Sequence, residues 1–122
     1  MHTLLNSKAV NLLNKLIDDT ARNGIIINTA IEDLKELRPY TITEELPLLA
    51  KATRLAFEHL EENQTFAIAI PDDEPIEEDG EIESAEEDAK ESFHYFLCLM
   101  RDIDKKANEA DLREYVAQLK EY

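Results

Sequence analysis

Tryptophan is absent from this chain, cysteine occurs once, and glycine occurs twice in 122 residues. One cysteine, Cys98, excludes an internal disulfide, and its place in an apolar stretch predicts a buried thiol without nucleophilic work. Gly24 and Gly80 are too few and too far apart for a glycine-rich phosphate loop. No run of 18 apolar residues occurs, so no helical membrane span is expected. Positive charge is scarce: 13 Lys and Arg stand against 28 Asp and Glu, a formal net charge of −15. That balance argues against direct nucleic-acid binding, which needs cations to replace counterions, and against an anionic membrane surface. Residues Met1 to Lys8 lack the charged start and apolar core of a secretion signal, so the expected location is cytoplasmic.

What is present is helix-forming. Hydrophobic residues make up 43% of the chain, with abundant Leu, Glu, Ala and Lys, a composition that favours helix over sheet. The length fits one domain with its own core, 1–122. The charge is uneven. Between Asp72 and Glu91 lie twelve acids and one base, Lys90, while the other 102 residues hold 16 acids and 12 bases. The chain is therefore an ordinary domain carrying one acidic segment.

Helical spacing of Leu5, Ala9, Leu12, Leu13, Leu16 and Ile17 predicts a first helix from about Thr3 to Arg22, stopped at Asn23-Gly24. Thr29 with Glu32 forms a capping-box pattern for a short second helix that Pro39 should end. Thr41 with Glu44, or Thr43 alone, is the expected cap of a third helix, with Pro47 in its first turn and Asn63 near its end. Thr65 to Ile70 alternates large and small residues like a strand. It could pair with Ile25-Ile26-Ile27 as a minimal two-stranded ribbon, 25–27 with 65–70, or lie extended along a bundle. Residues 71–83 show no periodicity and read as an acidic, flexible loop between helices three and four. Ser84 with Glu87 resembles a further capping box. The organising stretch is Phe93-His94-Tyr95-Phe96-Leu97-Cys98-Leu99-Met100, apolar nearly all round and therefore expected at the centre of the fold, packed on helix three. The apolar face shifts after Ala107, predicting a break near Asn108 and a last helix to about Glu121. The expected fold is all-α, a small bundle of four to five helices.

Chemistry-bearing spacings are few. Glu91-Ser92-Phe93-His94 places a carboxylate and an imidazole on one helix face, as in carboxylate-bridged di-iron bundles, but those sites need a second such pair and two more glutamates. Glu58-His59-Leu60-Glu61 has the Glu-x-x-Glu spacing that holds Mg²⁺ in small helical pyrophosphohydrolases, and Glu83-Ser84-Ala85-Glu86 repeats it, yet no Glu-x-x-Asp accompanies them. Pro75 to Glu86 matches the second half of a calcium loop and lacks its first carboxylate. A divalent metal would thus be sought at Glu58, Glu61, Glu91 and His94, the basis of a metal-binding or hydrolase alternative. No catalytic residue and no resident cofactor is assigned.

The leading expectation is a non-enzymatic interaction or regulatory module. Its docking site for a basic protein partner would be the acidic segment 72–91: Asp72, Asp73, Glu74, Glu77, Glu78, Asp79, Glu81, Glu83, Glu86 and Glu87, continued by Asp88 and Glu91. A second alternative is an inhibitor that mimics nucleic acid with these carboxylates. A homodimer is a further expectation, through Tyr115, Tyr122 or the Phe93–Met100 face.

Overall fold

The computed structural model describes residues 2–71 and 85–122. The described chain is all-α, with five helices: α1 (Ser7–Asn23), α2 (Ile27–Thr43), α3 (Pro47–Asn63), α4 (Ala85–Arg101) and α5 (Lys106–Glu121). The loop expected at 71–83, the Ser84 cap and the calcium-loop pattern from Pro75 lie outside the described residues, apart from buried Pro71.

Local chemistry sets most helix ends. The Asn6 side chain accepts hydrogen bonds from the amides of Lys8 and Ala9, so α1 starts at Ser7, not at Thr3. The preceding residues are tied down instead, because Leu5 and Asn6 donate their amides to the Glu44 carboxylate at 2.8 Å each. Gly24 ends α1 with φ of +77° and its amide bonds back to the Thr20 carbonyl.

The second helix corrects the sequence reading at both ends. It starts at Ile27 with Ile26 as an N-cap lacking any side-chain cap, so Thr29 and Glu32 lie inside it. It also passes through Pro39 to Thr43. A proline ring denies a partner to the carbonyl four residues back, but Lys35 and Pro39 are both on the exposed side, where water can serve that carbonyl. Burial of Leu34, Leu37 and Thr41 on the other side outweighs the lost bond. Thr41 therefore caps nothing in α3. Its hydroxyl donates to the Arg38 carbonyl, and α3 begins at Pro47 itself after Leu46.

One hydrophobic cluster draws on all five helices. Phe93, Phe96, Leu97, Leu99 and Met100 of α4 are all buried, as its composition predicts. Its backbone neighbours are α1 and α5, however, while α3 pairs with α2 and α5. Helix α3 reaches α4 through side chains, as where the Thr53 hydroxyl meets the Met100 sulfur at 3.7 Å. Helix α4 also ends earlier than expected, at Arg101. The break spans 102–105, Ile103 stays buried, and Asn108 lies within α5, its side-chain amide donating to the Asp102 carbonyl.

The ribbon 25–27/65–70 does not form, and no strand occurs among the described residues. Residues 66–70 form no regular element and alternate buried with exposed positions, with Phe66 and Ile68 buried. Helix side chains take the place of a partner strand. The Ala67 amide donates to His59 Nε2 at 2.9 Å, and the Ile68 carbonyl accepts from Ser92 Oγ at 2.6 Å. The Tyr115 hydroxyl joins Ser92 Oγ at 2.8 Å. Phe66 packs among the rings of His59, Phe93, Phe96 and Tyr115.

Candidate interaction surfaces

The structure does not gather the four candidate metal ligands. Glu58 lies exposed on α3 beside Arg54 at 3.3 Å, and Glu61 is paired with Lys35 of α2 at 2.8 Å. Glu91 is exposed on α4, whereas His94 is half-buried with Nδ1 4.0 Å from Cys98 Sγ. Among the described residues no three His, Cys, Asp or Glu side chains are grouped so as to hold a metal ion. Helices α3 and α4 meet through buried side chains such as Thr53 and Met100, while Glu58, Glu61 and Glu91 point to solvent. His59, next to Glu58 in sequence, is buried and occupied by the Ala67 amide, and burial pushes its pKa below the ordinary 6.5. Cys98 is half-buried, less enclosed than its surroundings in sequence suggest, and burial raises its thiol pKa, away from nucleophilic chemistry.

Of the acidic docking residues, Asp72, Asp73, Glu74, Glu77, Glu78, Asp79, Glu81 and Glu83 lie outside the described residues, as does the side chain of Glu86. Glu87, Asp88 and Glu91 stand exposed on the first turns of α4, while Ala89, Ser92 and Phe93 of the same turns face inward. The residues proposed for a dimer seam are mostly spent on the monomer's own core. Tyr115 is buried with its hydroxyl bonded to Ser92, and only Tyr122 is open, at 67% exposure.

A surface of the opposite sign is the feature that the sequence reading missed. Between the start of α3 and one stripe of α5 lies a recess of about 400 Å³, where Lys51, Arg113 and Lys120 surround Pro47, Leu48 and Val116. It continues through Pro47 and Lys51 into a recess of about 500 Å³ bordered by Arg38, Arg54 and Ile42. Arg38 and Ile42 lead on to a third, of about 400 Å³, beside Lys35 and Phe57. Six of the chain's 13 bases line this run, with one acid, Glu45. Lys35, Arg54 and Arg113 are paired with Glu61, Glu58 and Glu109, whereas Arg38, Lys51 and Lys120 have no carboxylate partner among the described residues, so the uncompensated positive charge lies on those three. A signal was available in sequence. Lys35 and Arg38 are three apart, as are Lys51 and Arg54, and Arg113 and Lys120 are two helical turns apart, so each pair shares a helix face. At the other end of the bundle a recess of about 510 Å³ is bordered by Arg22, Lys90 and Glu87, mixing both signs and selecting neither.

Compared with protein-family models, with curated proteins and with solved structures, the chain matches none. No described helix is long and apolar enough to cross a membrane.

Proposed function

We propose that the protein is a non-enzymatic, cytoplasmic interaction or regulatory module that docks a basic protein partner through the acidic segment 72–91. The observation that carries the reading is charge concentration. A segment of 20 residues bears twelve of the chain's 28 acids, and its last members, Glu87, Asp88 and Glu91, project from a helix whose other side is core. A helix anchored in this way holds its carboxylates at fixed spacing, which lowers the ordering cost of an encounter. Opposite charge on the partner accelerates association and makes it sensitive to salt.

The test is capture from source-cell lysate at low salt by two full-length forms. One is wild type, and the other carries a neutral Gly/Ser linker at 72–83 together with Glu87→Gln, Asp88→Asn and Glu91→Gln. The expected result is a basic protein retained by the first, lost by the second, and released from the first by 0.5 M salt, on the order of three times the physiological ionic strength. Equal retention by both forms would overturn the assignment.

A further inference from the structure

We propose that the groove between α3 and α5, with its extension along the end of α2, binds an acidic amphipathic helix from a partner protein. This is a second docking surface, independent of the acidic segment and opposite to it in charge.

Three observations carry it. First, Lys51 and Lys120, on different helices, border one recess, and neither has a carboxylate partner among the described residues. The Lys120 ammonium lowers the Lys51 pKa, the mark of two cations held close together. With 28 acids available, a pair of exposed lysines facing each other is left for an anion from outside. Second, the floor between the cations is apolar. Ile42 is 53% exposed, Pro47 and Ala117 are exposed, and Leu48 and Val116 form the buried edge. Third, the shape is a shallow channel along helices. Arg113, Val116, Ala117 and Lys120 are one stripe of α5, about 10 Å long at 1.5 Å per residue, and the channel continues beyond it past Pro47 to Ile42.

An acidic amphipathic helix satisfies all three, laying apolar residues at i, i+3, i+4 and i+7 on the floor and carboxylates against the rim. A nucleic acid would leave the apolar floor unused and would approach a protein of net charge −15. A small anion would not need the length of the channel.

The experiment selects binders from a phage library of random 16-residue peptides on the intact protein, then measures the enriched peptide by fluorescence anisotropy. Enriched sequences are expected to carry net negative charge with apolar residues at helical spacing. Affinity should fall at least tenfold in the Lys51→Glu/Lys120→Glu double variant and stay within threefold in Lys51→Arg/Lys120→Arg. It should also stay within threefold in Lys8→Glu/Lys90→Glu, which makes the same charge change away from the groove. Circular dichroism checks that each variant keeps its helices. The proposal is overturned by enrichment of neutral or basic peptides, by binding that survives Lys51→Glu/Lys120→Glu, or by no enrichment over an unrelated protein. It is also overturned if the chain sediments as a dimer that this double variant dissociates, since the occupant is then a second copy.

Discussion

The seat of residues 66–70 and the groove between α3 and α5 both set polar groups beside apolar ones, yet they treat those groups in opposite ways. In the seat the buried polar side chains are matched. His59 receives the Ala67 amide, Ser92 meets the Ile68 carbonyl, and no described buried side-chain nitrogen or oxygen lacks a partner. In the groove Lys51 and Lys120 face each other with no carboxylate between them. The reason is the surroundings. An unmatched polar group in the interior forfeits water and destabilises the fold, whereas an exposed ammonium keeps its hydration and can wait for a ligand. Groups in the seat thus serve stability, and groups in the groove are free to serve binding.

The comparison can be broken or sharpened by substitution. The largest effect belongs to Phe66→Ala, which empties the ring cluster between α3, α4 and α5. It should cost about 3–5 kcal/mol in urea unfolding, and a loss below about 1 kcal/mol would mean that segment 66–70 is not part of the core. Ser92→Ala comes next. It strips the Ile68 carbonyl of its donor and should cost about 1–3 kcal/mol.

A smaller, pH-dependent effect belongs to His59. Burial lowers its pKa, partly opposed by the nearby Glu62 charge, so the folded chain holds the ring neutral. Its contribution to stability is fully present above the unfolded value near 6.5. As pH falls below 6.5 the unfolded chain takes up a proton that the folded chain resists, and this contribution declines toward the lowered native pKa. The drop in urea midpoint between pH 7.5 and pH 5.5 should therefore be larger in wild type than in His59→Gln. Equal drops would assign the pH dependence to carboxylates elsewhere. The smallest effect is expected in the groove, where Lys51→Glu/Lys120→Glu should change stability by no more than about 0.5 kcal/mol. A loss of 2 kcal/mol or more, roughly the cost of removing a buried partner, would make the lysines structural and erase the contrast.

Much of the fold was legible in the chain because it rests on local rules. Apolar spacing marked every helix, Gly24 marked the end of α1, and the dense Phe93–Met100 stretch marked the buried α4. Local rules failed where distant groups compete for the same residue. Asn6 and Glu44 together moved the start of α1. The buried side of α2 carried that helix through Pro39. The second outcome does not follow from the residues adjacent in sequence, whereas the Asn6 cap is local and apolar spacing alone passed over it.

The candidate surfaces divide along the same line. Asp72 to Glu91 is contiguous, so its charge can be read directly, whereas the six groove cations come from three helices and form one surface only when those helices pack. Glu58, Glu61, Glu91 and His94 show the converse, since suggestive spacing on two helices means nothing until packing brings the side chains together, and here it does not. By itself the sequence determined that the chain is helical, acidic and centred on α4, because periodicity and charge are properties of neighbouring residues. Tertiary structure alone decided that residues 66–70 lie in a side-chain cradle and that Lys51 meets Lys120, because both depend on which helix faces packing brings together.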